Sequence, residues 1–371
     1  MKRKNPFLTA GYEGPETFCD RERETAKLIG AIENGRDVTL IAPRRYGKTG
    51  LIKNVFYRLD AAYDSVYLDI YATNDLCEFV KLFARTVVRE LESTGEKILT
   101  AATTFLRGVR PTVTTEADGS LKWSFEVTPT TAEVSLDGIF SYLKSRKRPV
   151  VIAIDEFQQV RRYPEKGAEA LLRSYIQFLP NVHFIFAGSQ RHMMADMFVS
   201  PRGPFYNSTD ILSLEPIDRN KYRDFAAGFF AVIGEPFDGE IFDGLYDRFS
   251  GVTWYVQSVL NRVWEYGGGL KDSRDVERAV AELVEDRALV FRDLFVSQPE
   301  ASKALLKAIA GENIVTAPTA GNFISKYRLG SASTVASSLE TLIAKELVYR
   351  SNDGVFIYDR LLSQWIKENE S

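Results

Sequence analysis

Residues 42–50 read Ala42-Pro43-Arg44-Arg45-Tyr46-Gly47-Lys48-Thr49-Gly50, and the fold follows from what flanks them. Before them stands a short apolar run, Val38–Ile41. After them Leu51, Ile52, Val55, Phe56 and Leu59 recur at helical spacing. Strand, tight loop and helix in that order are the context of a phosphate-binding loop. Loop N–H groups and the positive end of the helix would face phosphate oxygens. Lys48 would reach the outer phosphates, and the Thr49 hydroxyl is placed to hold Mg²⁺. Gly47 lets the backbone close before the helix. The pattern asks for glycine at its first position, where Ala42 stands; alanine is small but less free at positive φ. The plain alternative is a surface turn that ends in Gly-Lys-Thr.

A second apolar run, Val150–Ile154, ends in Asp155-Glu156. Such a run suits a strand buried on both faces of a parallel sheet, and ligands collect at the carboxyl ends of such strands. Asp155 would then share a magnesium ion with Thr49, and Glu156 would orient and polarise an attacking water. An acidic strand end facing solvent is the plain alternative. Val182–Ala187 is a third buried strand, followed by Gly188-Ser189-Gln190, whose polar side chains could meet the γ-phosphate or that water. Arg44 and Arg45 either contact phosphate or a neighbour, or stay solvated. Arg202 is the nearest candidate for a charge-stabilising arginine outside the loop.

Further out, Asp20 sits at a helix start with Leu28, Ile29 and Ile32 as its apolar face, and Asn34-Gly35 ends it. Ser65–Tyr71 reads as a strand. Leu76–Leu91 reads as a helix striped by Phe79, Val80, Phe83, Val87 and Leu91. Between residues 100 and 135 the alternation breaks. Asp118-Gly119 separates two β-prone stretches, which reads as an inserted hairpin. Asp137–Ser145 and Ala168–Leu179 read as helices and Ile211–Leu214 as a fifth strand, so residues 1–215 form an α/β domain with helices on both faces of a parallel sheet. After Glu215-Pro216 only helical segments follow, near 219–233, 240–249, 253–264 and 273–295, giving a small helical domain over 216–297. Residues 298–371 hold helices near 303–309, 321–327 and 333–345, then strands 347–350 and 355–358 about Asn352-Asp353-Gly354. That order suggests a winged helix-turn-helix.

The 371 residues are 45% hydrophobic and 26% charged with a net charge of −3, so no overall basic field advertises nucleic acid or an anionic membrane. Two distant cysteines, Cys19 and Cys77, form no disulfide framework and fit a reducing, cytoplasmic setting. His183 and His192 lack metal-ligand spacing. No apolar stretch has the length to span a bilayer, and no apolar core follows Met1–Phe7 as a signal peptide would need.

With these residues in place the chain resembles the prokaryotic archaeal-type P-loop ATPase family, a STAND-like group related to AAA+ ATPases. The resemblance rests on Phe18-Cys19-Asp20-Arg21-Glu22, Pro43–Thr49, Ile154–Gln158, and Gly188-Ser189-Gln190 with Met193-Met194. It implies a helical lid, ATP and Mg²⁺ as ligands, Phe18 and Arg21 near the adenine, Pro43–Gly50 around the phosphates, and Ser189 or Gln190 as sensor. Three departures stand out: Ala42, Thr253 where the lid element would carry proline, and Ser208 where an arginine would stand. Three functions remain open: an ATP-hydrolysing conformational switch, a DNA-binding regulator acting through the winged helix, and a nucleotide-binding scaffold without turnover. DNA binding draws little from the sequence. Residues 298–371 carry eight Lys/Arg and eight Asp/Glu, and the recognition segment Ser331–Leu342 has no Lys or Arg. A protein partner through the winged helix, and an arginine donated within an oligomer, are the other partners implied.

Overall fold

The computed structural model describes residues 4–60, 62–92, 110–115, 121–128, 130–351 and 353–370. Two compact units emerge: Leu8–Phe225 with Gly251–Trp254, and Met1–Phe7 with Ala226–Ser250 and Tyr255–Ser371.

The first unit is an α/β domain. Its strands β1 (Val38–Ile41), β2 (Asp64–Asp69), β5 (Val150–Asp155), β6 (Val182–Gly188) and β7 (Asp210–Ser213) form one parallel sheet in the order β2-β5-β6-β1-β7. The register Val38↔Ile185 to Ile41↔Gly188 and Asp69↔Asp155 brings the C-terminal ends of four strands together. Alternation along β5 and β6 divides the core. Val150, Ile152, Ile154, Phe184 and Phe186 pack on one side with the helices Leu76–Leu91 and Ala132–Ser145; Val151, Ala153, Ile185 and Ala187 pack on the other with Glu22–Glu33 and Lys48–Leu59. Each buried Val, Ile or Phe among them contributes about 1.5–3 kcal/mol of apolar burial, so the sheet is held from both faces.

Local sequence accounts for the element ends. Asp75 caps Leu76–Leu91 by accepting the Glu78 N–H at 2.7 Å, and the expected stripe from Phe79 to Leu91 is buried. The first helix begins at Glu22 rather than at Asp20, because Asp20 and Arg21 both take left-handed φ values, 55° and 70°. The helix expected from Asp137 begins at Ala132, since Ala132, Ser135 and Leu136 extend its buried face. Strands β3 (Arg110–Thr115) and β4 (Leu121–Glu126) pair antiparallel as the inserted hairpin; its Asp118-Gly119 turn lies outside the described residues.

In the second unit the run 273–295 divides into Ser273–Glu285 and Ala288–Val296. The apolar stripe Val276, Val280, Leu283 would continue at 287, which is arginine, so the helix stops and Phe291 and Phe295 begin a new face. Glu300–Glu312, Gly321–Tyr327 and Ala332–Ala344 precede β8 (Val348–Arg350) and β9 (Val355–Ile357), and Val315 bridges to Val355, which completes a winged helix. A last helix, Arg360–Asn369, was not among the expected elements. Asp359 caps it, and Leu361, Leu362, Trp365 and Ile366 bury its face.

Asp37, just before β1, ties the N-terminal ends of the sheet together. Its Oδ1 accepts the Phe184 N–H at 2.8 Å and its carbonyl accepts the Asp210 N–H at 2.9 Å. Burial raises its carboxyl to about 6, against the Phe184 N–H and the Arg173 charge, which favour the anion. The unfolded carboxyl titrates at about 4, so the folded chain binds this proton more tightly. That stabilisation is complete below about pH 4 and is lost as pH rises through about 6. Urea unfolding should therefore find Asp37→Asn equal to the native chain at about pH 3 and more stable by about 3 kcal/mol at about pH 7.5.

Candidate functional site

The loop Ala42–Gly47 leaves β1 and enters the helix Lys48–Leu59 through Gly47, whose φ of 85° lies in the left-handed region. A side chain at that angle costs about 1–2 kcal/mol, which is why glycine stands there. Ala42 continues the strand, its N–H bonding the Gly188 carbonyl at 3.1 Å, and its φ is not left-handed. The first-position glycine is thus replaced at no backbone cost.

Lys48, Thr49, Asp155, Glu156 and Ser189 meet at the C-terminal edge of the sheet. Lys48 Nζ stands 2.6 Å from Asp155 Oδ1 and 3.0 Å from Glu156 Oε1. Thr49 Oγ1 donates to Asp155 Oδ2 at 3.2 Å. Ser189 Oγ donates to Glu156 Oε2 at 2.7 Å. Lys48 and Asp155 are 7% and 3% exposed, so their charges are taken from water together and depend on one another. Glu156 reaches this position through a left-handed backbone, φ 57°, at the turn after β5. A non-glycine residue held there marks a strained site.

Three residues to which motif reading gave no role complete the site. Tyr67 OH donates to Asp155 Oδ2 at 2.7 Å; burial, then the Asp155 charge, push the phenol well above its usual range, so it stays a donor. Gln158 Nε2 donates to Glu156 Oε2 at 2.5 Å, while its own Oε1 is buried without a hydrogen-bond partner. Asp69 lies beside Asp155 in register; partial desolvation, then the Asp155 and Glu156 charges, raise its carboxyl, against the Tyr71 N–H, which favours the anion. Alternation in β2 carried a signal for two of them, since Val66 and Leu68 are buried and Tyr67 and Asp69 take the other face.

The other expected residues surround the loop. Arg21 Nη2 donates to the Tyr46 carbonyl at 3.3 Å and Nη1 pairs with Glu24 at 3.0 Å. Phe18 lies against Gly50, where a Cβ would stand 3.4 Å from its ring. Pro43 is half-buried in the turn. The Arg44 guanidinium lies 5.4 Å from the Tyr71 ring and that of Arg45 4.7 Å from the Trp254 ring, and the Trp254 backbone N–H donates to the Arg45 carbonyl at 3.1 Å. Both loop arginines therefore contact protein neighbours. Gln190 stands at the residue before the helix Arg191–Phe198, with no capping bond from its side chain to that helix. Arg202 is exposed, and among the described residues no contact joins it to the loop. Ser208 lies beside Asp37, Arg173 and His183, at the opposite end of the strands from Lys48. Thr253 does approach the loop, its Cγ2 lying 4.0 Å from where a Gly47 Cβ would be.

Comparison with known proteins agrees with this architecture. The family described as an ATPase domain predominantly from Archaea matches residues 18–259, and the family described as a probable winged helix domain matches residues 289–368. Among curated proteins none matches the chain. A Walker-type ATPase of Pyrococcus abyssi superposes with a TM-score of 0.66 at 18% identity, covering 98% of this chain and 99% of that one. The Aeropyrum pernix ORC2 protein, solved in ADPNP–ADP complexes, gives 0.58 at 15% identity, covering 99% and 98%. The ORC1 protein of the same organism, solved in complex with DNA, gives 0.53 at 16% identity, covering 96% and 94%. At these identities the likeness is one of fold.

Gly188 has a packing reason for its identity. A Cβ there would overlap Gln158 Oε1 and Met194 Sδ, both held in the core. Gly188→Ala should lower the stability to chemical unfolding by about 1–3 kcal/mol. Gly50→Ala, which meets only ordinary contact with Phe18, should cost less in the same measurement.

Proposed function

Because the chain belongs to the family of ATPase domains found predominantly in Archaea, we propose that it binds ATP with Mg²⁺, hydrolyses it, and works as a conformational switch of the STAND type. One observation carries the reading: Lys48 bridges Asp155 and Glu156 while Thr49 bonds Asp155, at the strand ends where an α/β sheet binds ligands. The donor set fits a magnesium triphosphate, with one cation and a left-handed glycine turn for the phosphates and a hydroxyl beside a carboxylate for the metal. Magnesium, held by Thr49 and Asp155, would neutralise charge developing on the phosphate oxygens.

The chain's own groups would do the rest. Lys48 would exchange its carboxylate partners for phosphate oxygens, which releases Glu156 Oε1. Ser189 and Gln158 would keep Glu156 Oε2 fixed, so the freed oxygen points one way and accepts a proton from water. Gln190 would stand at the same strand end as a second polar group. Phe18 and Arg21 would line the base side of the loop, with Pro43, Arg44, Arg45, Tyr46 and Gly50 shaping it. The Arg45–Trp254 stack would pass loop movement to the helix Thr253–Tyr266. In this reading residues 1–215 hold nucleotide, 216–297 act as a lid, and 298–371 are the effector, meeting a protein partner.

DNA binding through the winged helix is the second reading. It draws on the ORC1 protein solved with DNA. Against it, Ala332–Ala344 carries no Lys or Arg, and Arg350 in the wing is paired with Glu340 at 2.9 Å. Turnover and binding measurements separate the readings. Lys48→Ala should weaken ATP binding about 100-fold, whereas Glu156→Gln should keep binding and slow phosphate release by about 100-fold or more. Unchanged binding and turnover in both variants would overturn the proposal. Tight ATP binding with no phosphate release by the native chain would favour the scaffold.

A further inference from the structure

The second unit holds a cavity of about 450 Å³ that the nucleotide reading does not use. Its polar and charged walls come from three places, and Val280 of Ser273–Glu285 adds an apolar one. Arg248 ends the helix Gly239–Arg248, Asn313 ends Glu300–Glu312, and Arg360, Ser363, Gln364 and Lys367 come from the last helix. The spacing 360, 363, 364, 367 is one stripe of an α-helix, so that helix turns its apolar face to the core and a basic, hydrogen-bonding stripe to the cavity. Asp247 is the acidic residue on the lining, against three cations.

We propose that this cavity binds a small phosphate-bearing molecule. The Arg360 guanidinium is stacked over the Phe356 ring at 4.1 Å, which fixes its plane. Arg248 is steadied by Glu277 at 2.7 Å, and the Lys367 ammonium by Asn313 Oδ1 at 2.5 Å. Two guanidinium forks match the paired oxygens of a phosphoryl group, and the ammonium adds a point charge. Burial, then the Arg248 and Arg360 charges, hold the Lys367 ammonium below its usual range; the three cations repel one another across the space, and an anion relieves that repulsion. Ser363 is buried on the same stripe and brings a hydroxyl. The cavity is larger than one phosphate and falls within the range of small-molecule sites, so the phosphate would be carried on an organic body. A concave site of that size admits a group rather than a duplex.

Calorimetric titration of the full chain with inorganic pyrophosphate tests the idea. Lys48→Ala, which disables the loop, should still bind one pyrophosphate. Adding Arg248→Gln and Lys367→Gln should weaken that binding by about tenfold or more, and Lys367→Arg in the same background should preserve it. Should the double substitution fail to fold, Lys367→Gln alone makes the same comparison. The proposal is overturned if the Lys48→Ala chain binds no pyrophosphate, or if the cavity substitutions leave its affinity unchanged. It is also overturned if duplex DNA displaces pyrophosphate from that chain with a steep salt dependence, which would assign these cations to nucleic acid. The native chain compared with Lys48→Ala reports on the loop separately, so failure of the nucleotide reading is a distinct result.

Discussion

The Lys48 ammonium lies between two carboxylates that reach it from a strand not adjacent to its own. β6 separates β1 from β5, so the loop and the acidic strand end are about 10 Å apart across the sheet. The helix start must curl back over β6 for the side chain to make both contacts. A buried charge without its partner is costly, about 3–5 kcal/mol when one member is removed. The site therefore depends on the parallel register of three strands, and that register depends on cores packed against both faces.

The carboxylates are themselves held. Thr49 and Tyr67 bond one oxygen of Asp155, and Ser189 and Gln158 bond one oxygen of Glu156. Each acid keeps its other oxygen on Lys48. The backbone pays for this arrangement, with Arg45 at φ 72° and Glu156 at φ 57° both left-handed. Such strain persists only where surroundings over-determine it. Arg45 is over-determined by Trp254, which stacks on its guanidinium and bonds its carbonyl, and Glu156 by four side-chain and backbone partners.

The second unit shows a different use of charge. Its winged helix presents Ala332–Ala344 without a basic residue, while its last helix carries Arg360 and Lys367 on a stripe that faces a cavity. A count over residues 298–371 is neutral and hides this segregation. Helical phase sorts the charges: Leu361, Leu362, Trp365 and Ile366 take the core, and residues three, four and seven positions after Arg360 share its side.

The sequence by itself determined the alternation of strands and helices, the phosphate-binding loop, the acidic strand end and the winged helix. These are local matters, because apolar period, turn chemistry and caps act over a few residues. The order of the strands was decided only by the tertiary structure, as were the bond from Tyr67 to Asp155, the role of Gln158 beside Gly188, and the convergence of Arg248, Arg360 and Lys367. No local period encodes which strand lies beside which; burial of both sheet faces and pairing of buried charges choose it. The missed final helix and the early start of Ala132–Ser145 were legible in Asp359 and in the stripe of Leu136, Ile139 and Leu143. Ser208 could not have been placed from sequence, because its position at the far end of the strands follows from the direction of β7 in a sheet whose neighbouring strand lies 172 residues earlier.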